Sequence, residues 1–346
     1  MAFMLMYSGS LPDGRAEHAV DRRYKLMLNW LSHVLPVAPH DVAPASGDAS
    51  FRRYFRVRGD DGTAIVMDAP PDKVDCRPFV ALAAAFRRLG LQVPQVLAVD
   101  LEQGFLLLSD LGDRQYLTTL SEASVERLYG DALAGLVRLQ TGGDPETGLL
   151  PPYDAPLLRR ELELFREWYL VRHLGLRLQE DEHYLLDETF AILGASALEQ
   201  PQVWVHRDYH SRNLMVTEQH NPGVLDFQDA VIGPLTYDLV SLLRDCYIAW
   251  PRKRVEAWAL GHREQLREHG LPDMEDDATF LRWFDLMGIQ RHLKAAGIFA
   301  RLNIRDGKPG YLGDIPRTLN YVWEVCGRYG ELTGLRKLLQ ERVMPR

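Results

Sequence analysis

Residues 203–216, VWVHRDYHSRNLMV, set His206, Arg207, Asp208, His210, Arg212 and Asn213 between two apolar runs. Short apolar runs bounded by polar residues read as buried strands, so these side chains are gathered in the loop that joins them. Asp208 comes just after VWV, and Asn213 is the fifth residue beyond it, just ahead of LMV. That spacing lets one loop serve two tasks, with Asp208 facing an acceptor oxygen and Asn213 presenting its amide oxygen to a metal ion. A further apolar run, GVLD, ends in Asp226, whose carboxylate is expected to project from a strand end toward the same metal. A carboxylate and an amide are hard oxygen ligands, and with phosphate oxygens completing the shell they suit Mg²⁺. Transfer of a phosphoryl group from ATP asks for little more: a base or orienting group on the acceptor hydroxyl, and cations on the phosphates.

The surrounding pattern must hold that loop in place. Residues 1–20 keep no sustained period, with Ser8, Gly9, Pro12, Asp13 and Gly14 interrupting it, and read as a poorly ordered extension; helical spacing starts near RRYKLMLNWLSHVL. From Pro44 to Asp113 the chain favours short strands, SFRRYFRVRG, TAIVMDAP, VPQVLAVD and GFLLLSDLGD, separated by turn formers. One helix interrupts them, CRPFVALAAAFRRLG, with a Pro near its start and a Gly at its end. After Gly112 long helices take over: SEASVERLYGDALAGLVRLQ, APLLRRELELFREWYLVRHLG, DEHYLLDETFAILGASAL, TYDLVSLLRDCYIAW and almost everything beyond. Within that helical part only the opening stretch, read as a hairpin, and PGVLDFQDA are strand-like. The chain thus predicts an α+β protein of two lobes, a small β-rich one over residues 21–111 and a larger, mainly helical one over 112–346.

Composition bounds the partners. The chain has 346 residues, 46% hydrophobic and 25% charged, with a net charge of −8; this fits a globular protein whose partner is a small molecule rather than nucleic acid or an anionic membrane. Cys76, Cys246 and Cys326 are the only cysteines and no C-x-x-C occurs, so neither a disulfide framework nor a zinc site is expected, and a reducing cytoplasm fits. The opening MAFMLMYSG lacks the basic leading region of a secretory signal. No later run approaches the roughly 18 apolar residues of a membrane span.

At the polar loop the likeness to a known group becomes specific. HRDYHSRN resembles the H-x-D-x-x-x-x-N catalytic loop of protein-kinase-like and aminoglycoside-phosphotransferase-like enzymes, and LDFQD resembles their metal-binding strand end, followed in order by GPLTYDLVSLL. SGDASFRRYFRV, VMDAPPDKVDCRPFV, FLLLSDLGDRQYL, FREWYLVRHLG and IQRHLKAAGIFARLNIRDGKPGYLGDIPRTL further resemble the bacterial anomeric kinases of N-acetylmuramate and N-acetylglucosamine. The resemblance implies a bilobal protein-kinase-like fold, ATP and Mg²⁺ as cofactors, an amino sugar as acceptor, and a sugar 1-phosphate as product for cell-wall recycling. Asp208 matches the family's catalytic Asp; Asn213 and Asp226 match its Mg²⁺ ligands; His206 and Asp238 match positions that brace these loops. The turn Ser46, Gly47, Asp48, Ser50 lies where the family folds small residues over the nucleotide phosphates, and backbone near Leu108 and Asp110 lies where it pairs with adenine. His210, Asp229, Arg244 and residues 291–294 fall where an acceptor would be met.

One departure stands out. Protein-kinase-like enzymes place a Lys or Arg on the third strand of the first lobe, where AIVMDAPP offers Met67 and Asp68. Alternation along SFRRYFRVR puts Phe51, Arg53, Phe55 and Val57 on one face, so Arg53 is the odd residue on an apolar face and the expected phosphate contact, with Arg52 or Lys73 as substitutes. Phe165, Trp168 and Tyr169 stand at helical spacing and read as core rather than as a sugar platform. Three rival functions stay open: a kinase for an aminoglycoside, choline or homoserine; a metal-dependent hydrolase using His206, Asp208 and His210; and a nucleotide-binding scaffold without activity.

Overall fold

The computed structural model describes residues 14–37, 39, 41–46, 51–60, 62–271 and 276–344. Two compact units make up the chain, residues 1–81 with 94–110, and residues 82–93 with 111–346. The first unit combines helix α1 (Gly14–Val34) with an antiparallel sheet of β1 (Asp41–Ser46), β2 (Arg53–Gly59), β3 (Gly62–Asp68), β4 (Val96–Asp100) and β5 (Phe105–Ser109). The sheet order is β1-β2-β3-β5-β4. Phe55, Val66 and Leu107 stand in register across three strands, and Met27, Trp30 and Leu31 of α1, spaced as one helix face, pack on them.

Asp68, at the end of β3, is fully buried on that apolar face. It survives there because Arg23 of α1 donates to it from Nε at 2.9 Å and from Nη2 at 2.5 Å, and Arg53, its cross-strand neighbour, donates from Nε at 2.9 Å. A buried carboxylate without such partners would cost several kcal/mol. Two sequence expectations change in this unit. α1 begins at Gly14 rather than near Arg22, and Phe51 lies ahead of β2 and is 66% exposed instead of joining the apolar face.

Helix α2 (Arg77–Arg88) starts in the first unit and ends in the second. The second unit then runs α3 (Tyr116–Thr119), α4 (Val125–Gly142), α5 (Ala155–Leu164), α6 (Glu180–Leu198), β6 (Gln202–Val205), β7 (Leu214–Met215), β8 (Gly223–Val224), β9 (Val231–Pro234), α7 (Tyr237–Leu243), α8 (Arg252–Glu268), α9 (Asp277–Asp306), α10 (Ile315–Cys326) and α11 (Thr333–Leu338). α9 is the axis of this unit: every residue from Trp283 to Lys294 is buried. A helix buried all round is a core helix, and each polar residue on it needs a partner inside. Phe165 and Tyr169 sit in the same core, with Trp168 packed against it.

α5 does not continue as one helix to Gly175. Phe165–His173 form a wider, π-type turn, and α9 crosses the junction at Gly297. A Cβ there would lie 2.4 Å from the Leu164 carbonyl carbon and 2.7 Å from the Phe165 nitrogen, backbone atoms that cannot swing aside. Gly297→Ala therefore sets about 1 kcal/mol of gained helix propensity against overpacking of about 1–3 kcal/mol. The variant is expected to melt lower than the parent, and an equal or higher Tm would show that α9 and α5 are not in close contact.

Buried histidines give the fold an acid limit. His262 Nε2 of α8 donates to the Gln140 side-chain oxygen at 2.9 Å, and His292 Nε2 of α9 to the Arg244 carbonyl at 2.8 Å. Burial pushes both down to about 3. Each stays neutral in the fold and takes a proton more readily once unfolded, so stability falls as pH drops below the unfolded value of about 6.5. Between pH 6.5 and 4.5 one such group removes about 2–3 kcal/mol. His262→Gln is expected to lessen that acid loss in urea titrations at the two pH values; an identical loss in both proteins would contradict it.

Among the described residues no helix is long and apolar enough to cross a membrane. The three cysteines are buried and free.

Candidate active site

β6 and β7 flank the polar loop, yet they do not pair with each other as a hairpin. β6 pairs with β9 and β7 with β8, so residues 206–213 pass from one two-stranded ribbon to another. β9 was not legible as a strand, because VIGP is short and holds both Gly and Pro. Such a loop has no ladder of its own and must be tied by side chains. Asp238 of α7 supplies the first tie: its buried carboxylate accepts the His206 N–H at 2.6 Å and the Arg207 N–H at 2.9 Å. Those loop amides, rather than the amides of its own helix, are what the carboxylate serves. Burial pushes the Asp238 carboxyl up to about 7, against the downward pull of the two amides.

Asp245 is the second tie. Its Oδ2 accepts the Ser211 N–H and its Oδ1 the Tyr247 N–H, both at 2.9 Å. This turn ends α7 at Leu243, where sequence periodicity had carried the helix to Trp250. Tyr209 is the third, its hydroxyl donating to the Ala132 carbonyl of α4 at 2.9 Å. Gly135 makes room for it, since a Cβ there would stand 2.8 Å from that hydroxyl.

Within this frame Asp208 and Asn213 are joined directly. The Asn213 side-chain Nδ2 donates to the Asp208 carbonyl at 3.0 Å, and the Asn213 carbonyl accepts the Leu225 N–H at 2.9 Å. Asp226 follows in the left-handed region at φ 63°, its Oδ1 accepting Gln228 Nε2 at 2.6 Å. The Asn213 nitrogen being engaged, its oxygen is the atom left for a cation, with the Asp226 carboxylate close along the chain. An amide and one carboxylate fit Mg²⁺, which keeps waters and phosphate oxygens in its shell. Among the described residues there is no group of three His, Cys, Asp or Glu able to hold a metal.

The bonds of Asp208 itself run through its backbone: the N–H donates to His206 Nδ1 at 3.2 Å, and the carbonyl accepts from His210 and Asn213. Burial pushes the Asp208 carboxyl up, but nearby positive charge, that of Lys294 first, outweighs it and holds it below the usual carboxylate range. His206 goes the other way, pushed down to about 4 by burial and so neutral. His210 is lowered by burial too; its ring meets Tyr247 edge-on at 5.4 Å, and its buried Nδ1 has no partner among the described residues.

The other expected positions fall as follows. Asp229 is exposed, its carbonyl accepting from Arg207 at 3.3 Å. The Arg244 guanidinium lies over Tyr321 at 4.7 Å and 3.7 Å from Glu324, both on α10. Gly47, Asp48 and Ser50 lie outside the described residues, and Ser46 is described only as the end of β1. Leu108 sits inside the sheet opposite Ile65 and Val96, and the Asp110 carboxylate takes two bonds from Arg56, at 2.6 and 3.0 Å. Lys73 pairs with Asp72 at 3.3 Å. Sequence reasoning passed over Glu161 and Asp245. Glu161 did leave a signal, since it occupies the apolar face of α5 with Leu158 and Leu162.

The model of the phosphotransferase enzyme family matches residues 41–276, two thirds of the chain and the whole of this loop system. The chain belongs to the phosphotransferase enzyme family. This phosphotransferase is 48% identical over 329 residues to an N-acetylmuramate/N-acetylglucosamine kinase of Pseudomonas aeruginosa, covering 92% of this chain and 96% of the relative. A protein of the same name from Neisseria meningitidis is 45% identical, over 94% of this chain and 97% of its own. Among solved structures, choline kinase LicA from Streptococcus pneumoniae aligns with TM-score 0.62 at 12% identity, covering 88% and 99% of the two chains. The GDP complex of wild-type aminoglycoside 2'-phosphotransferase-IIIa aligns at 0.60 with 16% identity, covering 89% and 99%. The phosphotransferase therefore has the expected α+β, bilobal protein-kinase-like fold.

Proposed function

We propose that this phosphotransferase moves the γ-phosphoryl group of Mg²⁺-ATP to the anomeric hydroxyl of N-acetylmuramate and N-acetylglucosamine, giving the sugar 1-phosphate for cell-wall recycling. The observation that carries the chemistry is the direct tie of Asn213 to Asp208, with Asp226 following the Leu225 link. The acceptor rests on two relatives, 45% and 48% identical, that bear that name. Asn213 and Asp226 would hold Mg²⁺, which when bound neutralises phosphate charge. Asp208, kept anionic by its neighbours, orients the acceptor hydroxyl and takes its proton as the phosphoryl group departs. A carboxylate of low basicity suffices, because the anomeric hydroxyl is the most acidic one on a sugar and the transition state is loose. His210 and Asp229 are the acceptor-side candidates. On the nucleotide side, Ser46, Gly47, Asp48 and Ser50 are proposed to cover the phosphates and backbone near Leu108 and Asp110 to meet adenine. Arg53 is proposed to stand in for the missing strand base: its Nε and Nη2 both donate to Asp68, and the other edge of the guanidinium would meet phosphate.

The test is ADP release with ATP, with and without Mg²⁺, across N-acetylmuramate, N-acetylglucosamine, choline, homoserine and kanamycin. Magnesium-dependent release with the two N-acetyl sugars is expected. Release only with another acceptor would discard the sugar, and phosphate release from a phosphoester without ATP would favour the hydrolase.

A further inference from the structure

Beside Asp208 a set of buried polar side chains converges from α5, α7, α9 and the turn before α5, and the steps proposed above give it no task. Glu161 of α5 is 5% exposed and Lys294 of α9 is 9% exposed. Glu161 Oε1 takes the Lys294 ammonium at 2.9 Å and also the Arg207 guanidinium. Its Oε2 takes the Tyr153 hydroxyl, and Gln290 of α9 donates to that hydroxyl at 2.7 Å. Lys294 donates as well to the Tyr237 hydroxyl at 2.9 Å.

Stability alone is a weak reason to keep such a cluster, since buried ion pairs contribute little beyond well-packed apolar groups. Nor does the cluster balance: Arg207 and Lys294 bring two cations to the single carboxylate of Glu161. Asp208 follows Arg207 directly in the chain, and Lys294 is the first of the charges that hold its carboxyl below the usual range. Arg207 also adopts φ 77°, a strained backbone for a long side chain that persists only where the surroundings fix it. Both ends of the residue are fixed here: Asp238 holds its N–H at 2.9 Å, and its guanidinium is clamped by Glu161 and reaches the Asp229 carbonyl at 3.3 Å.

We infer that Glu161 and Lys294 are positioning residues for phosphoryl transfer: Lys294 holds the Glu161 carboxylate at 2.9 Å, and Glu161 locks Arg207 and with it the turn that presents Asp208. The inference rests on the reading of Asp208 as the acceptor-side group. It assigns α5 and α9, which contribute no residue to the catalytic motif, a direct hold on its geometry.

The experiment is steady-state kinetics with Mg²⁺-ATP and N-acetylmuramate on Lys294→Met, Lys294→Arg, Glu161→Gln and Asp208→Asn, each first checked for cooperative melting. Misplacement of a reacting group costs up to about 100-fold, so Lys294→Met and Glu161→Gln are expected to lose about 10- to 100-fold in kcat with the KM for ATP changed less than about threefold. Lys294→Arg keeps the charge and is expected to recover at least about a third of the parent kcat. A Lys294→Met enzyme of parental kcat, or a Lys294→Arg enzyme as poor as Lys294→Met, overturns the inference. Where Lys294→Met does not fold, the Glu161→Gln/Lys294→Met pair, which removes one charge of each sign, replaces it with the same expectation, and a parental rate in that pair also overturns it. Parental activity in Asp208→Asn would instead remove the reading beneath it, while loss in Asp208→Asn with Lys294→Met intact rejects this inference alone.

Discussion

Asp208→Asn is expected to lower kcat by roughly 10²- to 10⁴-fold, the range that a positioned proton acceptor contributes, while the KM for ATP stays within about threefold. The separation follows from how the residue is held. Its bonds to His206, His210 and Asn213 run through the backbone, so an amide of equal size leaves the loop tied and the nucleotide side untouched. What is lost is the anionic oxygen, which Lys294 and its neighbours keep charged. Comparing kcat and both KM values between parent and variant decides the matter: a kcat within tenfold of the parent would remove Asp208 from the reaction, and a large rise in the KM for ATP with kcat preserved would make it a nucleotide contact.

Asp226→Asn should act on a different variable. The backbone there lies at φ 63°, which Asn tolerates better than Ala does, so the substitution removes charge without adding strain. Its neighbour Gln228 keeps an oxygen to bond at the position it now reaches at 2.6 Å. A bound metal stabilises transferring phosphate by several kcal/mol, and the loss of one of two protein ligands is expected to lower kcat/KM for ATP by about 100-fold or more. The Mg²⁺ concentration for half-maximal activity should rise at least about tenfold. An activation curve superimposable on that of the parent would contradict the assignment of Asp226 to the metal, whatever the change in rate.

The readable part of this site is the part written contiguously. Asp208 and Asn213 share one loop, and Asp226 closes an apolar run shortly after, so residue type and spacing sufficed to name their chemistry. What ties that loop was legible only in part. Asp238 could be named through the family resemblance, but its bonds to His206 and Arg207 depend on how α7 packs. Asp245 looked like one more residue of a helix because the Ser211 amide that it accepts, 34 positions away, has no trace in local periodicity. The mistaken hairpin has the same origin: β7 and β8 are two residues each, too short for alternation to show which strands pair. Glu161 is the instructive miss. A carboxylate on the apolar stripe of α5 was visible beforehand, but its partners Lys294 and Arg207 come from distant segments, and only the close passage of α9 at Gly297 brings the helices together. In the first unit, Arg53 was legible as an oddity on an apolar face; the reason, Asp68 directly across the ladder, needed the register.

The most direct test of the whole account is phosphorus NMR of the product formed from Mg²⁺-ATP and N-acetylmuramate or N-acetylglucosamine. The account predicts a single sugar phosphate whose phosphorus couples to the anomeric proton. Phosphate on any other hydroxyl, or no sugar phosphate while ATP is intact, would contradict it.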